Sequence, residues 1–145
     1  MSTVTRSAIV NHSARDMFAL VSEVESYPSF LPWCDRASVA EREPGRTVAT
    51  LHINFHGLKE EFTTENRDRP GESIEMKLVS GPFRSLEGGW RFTPLSSAAC
   101  KVELDLRYEL ASGLLDRVLG KVFDEIAGSL VDAFARRADQ LFGRA

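Results

Sequence analysis

The side chains that most often carry out catalysis are few in this sequence and stand far apart. The three histidines are His12, His52 and His56, and none has a serine, cysteine or acid at a recognisable catalytic spacing. His52 and His56 alternate with apolar residues on the same side as Asn54, so we expect them on the solvent face of a strand. His12 stands at a strand–helix corner, where we expect a turn residue. The histidines therefore indicate no nucleophilic or acid–base centre.

The two cysteines, Cys34 and Cys100, have no second metal ligand at a suitable spacing, and the C-x-x-C motif is absent. This argues against a zinc site and a thioredoxin-like redox site. Two distant thiols in the cytoplasm normally stay reduced, so we expect free cysteines. The sequence predicts no metal and no resident cofactor.

Adjacent carboxylates occur at residues 60–61, at residues 124–125 and between residues 41 and 43. Each group lies in an alternating polar pattern, which is typical of a solvated surface rather than of paired catalytic acids. Gly88 and Gly89 are not followed by a helix, so they do not form a phosphate-binding loop. We therefore predict no catalytic residue and no enzyme activity.

The composition is that of an ordinary folded domain, with 145 residues, 43% hydrophobic and 27% charged. This length predicts one domain spanning residues 1–145. No apolar run reaches the ~20 residues of a membrane-spanning helix, and the first ten residues do not resemble an export signal. We therefore expect a cytoplasmic protein. The net charge of −3 argues against DNA as a partner, because proteins held to DNA by bulk charge are normally basic.

The elements that must position any site follow from the spacing of apolar residues. A strand is predicted over residues 3–10, followed by a helix that begins after Ser13 and ends before Pro28. Period-two alternation and turn residues then predict six strands, over residues 37–42, 47–56, 58–69, 72–79, 85–95 and 99–110. Gly88 and Gly89 inside one of these strands indicate a bulge or a sharp bend.

The last segment, residues 114–142, has a helical period of apolar residues that runs from Leu115 through Phe134 to Leu141. A helix of this length on an antiparallel sheet with one wet face is a two-layer α+β design. We predict a curved sheet of six to seven strands wrapped on a long C-terminal helix, with a short helical segment after the first strand.

A strongly curved sheet cannot contact a straight helix along its whole length, which leaves room for an apolar ligand cavity. The alternative is that the inward side chains meet in a filled core, and composition alone does not decide between the two. The residues predicted to bind an apolar ligand on the inner faces are Phe55, Phe62, Met76, Phe83, Trp90, Tyr108, Val122 and Ile126.

The aromatic segment over residues 27–33 contains two prolines that prevent a regular helix. We predict that it forms a lid at one end of the cavity and that Phe30 and Trp33 contact the ligand. The alternative is a packed loop that only plugs the core. Loss of lipid uptake without loss of stability in a variant with alanine at both positions would distinguish the lid from the plug.

Several strings, taken in order, resemble the coenzyme Q-binding protein family, which includes a bacterial ribosome-association toxin branch, within the START-like or polyketide cyclase/dehydrase superfamily. These strings are YPSFLPWC (residues 27–34), GPFRSLEGGWRFTPL (81–95), CKVEL (100–104), RYEL (107–110), GKVF (120–123) and VDAFARRA (131–138). The resemblance covers residues 4–142.

The resemblance implies a helix-grip fold and a non-enzymatic role. Family members bind a polyprenyl quinone such as ubiquinone, or a related lipid, which implies a hydrophobic small molecule as partner and some peripheral membrane contact. The bacterial branch implies a second role, in which the protein binds the large ribosomal subunit and blocks subunit association. A third hypothesis is a cyclase or dehydrase enzyme, which would need an acid or base inside the cavity.

Overall fold

The computed structural model describes residues 2–55 and 57–143, so the position of His56 lies outside the described residues. The strands are β1 (Ser2–Val10), β2 (Cys34–Glu43), β3 (Arg46–Phe55), β4 (Leu58–Arg69), β5 (Ser73–Ser80), β6 (Phe83–Ser96) and β7 (Ala99–Leu110). The helical segments are α1 (Ala14–Ser22), a 3-10 helix (Val24–Ser29) and α2 (Gly113–Phe142).

The strands form a curved antiparallel sheet with the order β1-β7-β6-β5-β4-β3-β2. Strand β7 illustrates why the sheet has one covered face: its residues from Cys100 to Leu110 alternate between buried apolar and more exposed polar side chains. This is the period-two pattern of a half-buried strand. The predicted α+β class and the count of seven strands are confirmed.

The glycine pair in β6 is explained by close backbone approach and not by a bulge. A Cβ atom at Gly88 would lie 2.0 Å from the carbonyl oxygen of Asp105, and one at Gly89 would lie 2.2 Å from that of Ile74. Pairing with β5 and β7 passes through both glycines without a register shift. Of the two predicted alternatives, a bulge or a sharp bend, the bulge is therefore wrong, and the glycines allow the neighbouring strands to come within hydrogen-bonding distance of β6.

The first helix begins as predicted, because the Ser13 side chain accepts a hydrogen bond of 3.1 Å from the amide of Asp16. It ends before Pro28, as predicted, but already at Ser22, and the chain continues as a 3-10 helix that contains Pro28. Val24, which the apolar spacing assigned to the first helix, therefore lies in the 3-10 segment. The two short segments allow Val24 and Tyr27 to turn their side chains into the core.

Helix α2 is the second layer and crosses the concave face of the sheet. Its 30 residues extend over about 45 Å. The residues buried along its inner stripe are Leu119, Phe123, Ile126, Ala127, Val131, Phe134 and Ala138. Leu141, which was predicted to belong to this stripe, is 51% exposed, because the helix has passed the core by its last turn.

Candidate ligand site

A cavity of about 100 Å³ lies between the concave face of the sheet and α2. Its wall is built from the inner faces of β3 to β7, the inner stripe of α2 and the segment before β2. The residues that line it are Val24, Tyr27, Trp33, Ala49, Leu51, Ile53, Phe62, Thr64, Asn66, Met76, Phe83, Leu86, Trp90, Leu106, Tyr108, Phe123, Ile126, Ala127, Leu130 and Phe134.

Seven of the ten predicted ligand residues line this cavity, and they are Trp33, Phe62, Met76, Phe83, Trp90, Tyr108 and Ile126. Phe30 lies behind the wall, where its ring packs edge-on against Phe134 at 5.2 Å and lies under the Arg137 guanidinium at 5.2 Å. Phe55, the last residue of β3, and Val122 on α2 are half-buried outside the lining. The alternation along β3 and the helical period of α2 correctly placed Phe55 and Val122 on the inner faces of the sheet and the helix. These patterns did not show where along each element the cavity ends.

Sequence reasoning placed Phe123, Leu130 and Phe134 in the apolar stripe of α2 without assigning them to the cavity. Phe123 and Leu130 lie three or four residues from Ile126 and Ala127, and Phe134 lies four residues beyond Leu130, so all three are on the face of the helix that contacts the sheet. Thr64 on β4 was missed entirely, and nothing in its own strand pattern distinguishes it from a surface threonine.

One end of the cavity has an aromatic wall. The Phe83 ring lies 4.7 Å from Phe123 and 5.7 Å from Phe62, with Tyr108 at 5.9 Å, all measured between ring centroids. The ring planes are tilted or nearly perpendicular, which are the favoured arrangements of aromatic pairs. This end therefore offers apolar contacts to the edges and faces of a flat ligand.

Tyr108 joins the sheet to α2 at this end, because its buried hydroxyl group donates a hydrogen bond to Oδ1 of Asp124. Burial, and then this bond to a carboxylate, raise the pKa of Tyr108 above its ordinary value. Tyr108 is thus held protonated, and its hydroxyl hydrogen is engaged in the bond to Asp124. Asp124 is exposed, as predicted, but the sequence did not indicate its bond to Tyr108.

The segment between the 3-10 helix and β2 forms a packed part of the wall. Leu31 and Trp33 are buried, and the Tyr27 hydroxyl group donates a hydrogen bond to the backbone carbonyl of Val21. Tyr27 also packs edge-on against Phe134 at 5.3 Å. These contacts seal this side of the cavity, and whether the segment opens as a lid stays a prediction.

Polar side chains enter the cavity at the end away from the aromatic wall. The Thr64 hydroxyl group donates a hydrogen bond of 2.8 Å to Oδ1 of Asn66, and both residues are buried. A passage of about 20 Å³, lined in part by Asn66, Thr47 and Asp68, lies next to the cavity. Burial raises the pKa of Asp68, although Thr47 and Arg42 act in the opposite direction.

The passage shares three lining residues, Ser22, Thr47 and Asp68, with an open groove between α1 and the ends of β2 and β4. Across this groove, Arg42 donates two hydrogen bonds of 3.0 and 2.9 Å to the carboxylate of Glu25. The ion pair is half-exposed and links β2 to the 3-10 helix. The cavity is therefore apolar within and polar towards this side.

The outer face of the sheet mixes charges of both signs. Arg67, Arg84 and Arg107 lie 3.5, 3.4 and 3.7 Å from glutamate carboxylates. Within the described part of the chain, no group of three histidine, cysteine or acidic side chains could hold a metal ion. No helix in residues 2–55 and 57–143 combines the length and the apolar character needed to cross a membrane.

A curved antiparallel sheet that grips a long helix over an apolar cavity defines the START-like class of helix-grip proteins. Residues 10–135 match the family described as polyketide cyclase/dehydrase and lipid transport. The chain belongs to this family.

The named relatives include both a ribosome association toxin and a coenzyme Q-binding protein. The chain is 48% identical over 143 residues, 99% of both chains, to the ribosome association toxin RatA of Vibrio cholerae. It is 29% identical over 144 residues to the coenzyme Q-binding protein COQ10 homolog B, mitochondrial, of Xenopus laevis, covering 97% of this chain and 59% of that protein.

Among solved structures, the Zhui aromatase/cyclase from Streptomyces sp. R1128 superposes with a TM-score of 0.83 and covers 99% of both chains. Its sequence is 18% identical, so this likeness shows the shared fold.

Proposed function

We propose that the protein binds an apolar ligand, a polyprenyl quinone such as ubiquinone or a related lipid, between the sheet and α2. The observation that carries the proposal is the cavity, with its aromatic wall at one end and few polar groups at the other. Such a lining is typical of small-molecule sites, which bury most of an apolar ligand. The similarity to a coenzyme Q-binding protein supports a quinone as the ligand.

The cavity must widen to hold such a ligand. A volume of about 100 Å³ is less than the roughly 150 Å³ cavity that holds one benzene ring. The half-buried side chains of Leu51, Phe62, Met76 and Leu130 are the parts of the wall with room to move outwards. Met76 is the most adaptable of them, because an unbranched thioether side chain has three rotatable bonds. We infer that these side chains move apart when the ligand enters.

The proposed role is binding and not catalysis. The two tyrosine hydroxyl groups in the wall are held protonated by burial, that of Tyr27 donating to the Val21 carbonyl and that of Tyr108 to Asp124, which leaves both poorly suited to act as a general base. The aromatase/cyclase shares the fold, and at 18% identity this carries no activity over to this chain.

Taking up a membrane lipid requires peripheral contact with a bilayer. Leu114 and Val118, at the start of α2, are 70% and 48% exposed. They lie one to three turns before Phe123, at the aromatic end of the cavity. Exposed aliphatic side chains next to the cavity would support a brief contact with lipid.

The test is to identify and then to titrate the ligand. Native mass spectrometry of the purified protein should detect a bound lipid that unfolding releases. Both tryptophans of the chain, Trp33 and Trp90, line the cavity, so a bound quinone should quench nearly all of the intrinsic fluorescence. If neither decylubiquinone nor a co-purified lipid occupies the protein, the proposal is wrong.

The similarity to ribosome association toxins, at 48% identity over nearly the whole length of both chains, favours a second function. We propose association with the large ribosomal subunit through the outer face of α2, where Arg136 is exposed. Arg137 is less suitable for this contact, because its guanidinium packs over Phe30. Ribosome association would place the protein in the cytoplasm.

Sedimentation with ribosomes tests this second function. Arg136→Glu should reduce association with the large subunit and weaken its dependence on salt, because a phosphate contact is lost. Arg91→Glu is the matched control, since Arg91 is exposed on the outer face of the sheet. Equal sedimentation of both variants and the wild type would remove this face of α2 from the interaction.

A further inference from the structure

The inner face of the sheet carries a small polar group at one end of an otherwise apolar cavity. The described residues include four buried polar side chains, and three of them, Thr47, Thr64 and Asn66, lie on β3 and β4. Thr47 and Asn66 are register partners across these strands. A buried polar group is costly unless it is hydrogen-bonded, and in this group Thr64 and Asn66 bond each other.

Asn66 is the member of this group with unused capacity. Its side-chain oxygen accepts the hydrogen bond from Thr64, which fixes the orientation of the amide group. Among the hydrogen bonds of the described residues, none uses the side-chain NH₂ group of Asn66 as donor. The residue is only 9% exposed and lines both the cavity and the passage beside it. Two hydrogen-bond donors are therefore available at this end of the cavity.

We propose that Asn66, oriented by Thr64, donates a hydrogen bond to an oxygen of the bound ligand and selects ligands that carry a carbonyl group at one end. This inference rests on the proposed function, because it assigns a polar contact within the same cavity. Thr64 is a positioning residue, since its hydroxyl group is already bonded to Asn66.

The position of Asn66 also sets the direction of the ligand. Along β4, Phe62, Thr64 and Asn66 line the cavity in turn, from the aromatic end to the polar end. A ligand bonded to Asn66 places its oxygen near the passage and its apolar body beside Phe62. An apolar tail then extends towards the aromatic end of the cavity and the start of α2.

The experiment compares two probes with the same carbon skeleton, of which only one carries carbonyl groups. Duroquinone and durene have the same six-membered carbon ring and four methyl groups, but duroquinone alone has carbonyl oxygens. Affinities of both probes are measured by calorimetry for the wild type and for the double variant Thr64→Val/Asn66→Leu. Both partners of the Thr64–Asn66 hydrogen bond are replaced together, so neither is left buried without a hydrogen-bonding partner, and the double variant should fold.

The expected result is that the ratio of duroquinone affinity to durene affinity falls about three- to tenfold in the double variant, which is the effect of one hydrogen bond. The matched control is Thr50→Val/Thr63→Val. Thr50 on β3 and Thr63 on β4 share a 2.6 Å hydrogen bond but lie outside the cavity lining. Their replacement should leave the ratio unchanged.

A second measurement needs no variant. In the wild-type protein, the NMR signals of the Asn66 side-chain NH₂ group should shift on addition of duroquinone and stay in place with durene. An unchanged ratio, or equal shifts with both probes, would overturn the assignment of Asn66 while leaving the ligand cavity in place. If the wild type binds neither these probes nor decylubiquinone, the proposed function fails, and this inference fails with it.

Discussion

Filling the cavity is the sharpest test of whether the space between sheet and helix is real. Ala127 lies on the inner face of α2, is 5% exposed and lines the cavity. At about 24 cal/mol per Å³, a void of about 100 Å³ costs roughly 2.4 kcal/mol of stability. Ala127→Leu adds three carbon atoms, which are worth about 0.8 kcal/mol each when buried. Because the fit will be imperfect, we expect a gain of about 1–2 kcal/mol.

The same helix offers a matched control. Ala138 is fully buried and lies outside the cavity lining, so Ala138→Leu should overpack the core and cost about 1–3 kcal/mol. Thermal unfolding followed by circular dichroism should show the melting temperature of Ala127→Leu raised by about 3–8 °C and that of Ala138→Leu lowered. Calorimetry with duroquinone should show that Ala127→Leu no longer binds the ligand.

Two results would contradict this reasoning. If both substitutions lower the melting temperature to the same extent, residue 127 is as tightly packed as residue 138, and the core is filled. If Ala127→Leu stabilises the protein and still binds duroquinone with wild-type affinity, the cavity exists but the ligand binds elsewhere.

Three further predictions follow from other features. Gly89→Ala should lower the free energy of unfolding by about 1–3 kcal/mol in urea titrations, because its Cβ would lie 2.2 Å from a β5 carbonyl oxygen. The comparison variant is Gly71→Ala, which has open space around the added Cβ and a φ of +74°. It should lower the free energy of unfolding by only about 1–2 kcal/mol. Because the pKa of Tyr108 is raised in the folded state, the unfolded chain loses that proton first. The contribution of Tyr108 to stability should therefore be constant up to about pH 10 and be lost as the pH rises further, so that above pH 10 stability falls less steeply in Tyr108→Phe than in the wild type; an equal slope in the variant would contradict this. Burial raises the pKa of the Cys34 thiol to about 11 and that of Cys100 above its usual value, so neither should react with Ellman's reagent at pH 8 until the protein unfolds.

The fold could be predicted because local patterns and long-range structure agree. The alternation in β7 from Cys100 to Leu110 is uninterrupted, and both predicted ends of this strand match the structure. Helix α2 begins one residue before its predicted start and ends at Phe142 as predicted. The first helix was harder to place, because apolar spacing continues through Val24 although the backbone changes from α to 3-10 geometry at Glu23.

The candidate site could be predicted only in part, for two physical reasons. Periodicity shows which face a residue lies on, and this correctly placed Phe62, Trp90 and Ile126 on the wall. It does not show how far along an element the cavity extends, which is why Phe55 and Val122 were assigned to a cavity that they do not line. Voids depend on how side chains from distant segments meet, and no single segment carries that information.

Polar groups inside the cavity were the hardest features to foresee. A buried threonine and a surface threonine look alike in a strand, so Thr64 gave no signal. The bond between Tyr108 and Asp124 joins residues on different layers, and its formation depends on the angle at which α2 crosses β7. Such contacts are products of tertiary packing.

The sheet order has a consequence for how the chain acquires its structure. Strand β1 precedes the other six strands along the chain, yet its neighbour is β7, so Val10 pairs with Cys100 and Ser2 with Tyr108. During synthesis, β1 stays unpaired while the five strands β2 to β6 are made, because its partner β7 comes after them, and α2 follows β7. Such long-range pairing slows folding, because a long loop must close before the contact is gained. The growing chain therefore carries an unpaired, half-apolar strand until β7 has been made, and this is the period in which it most needs a chaperone.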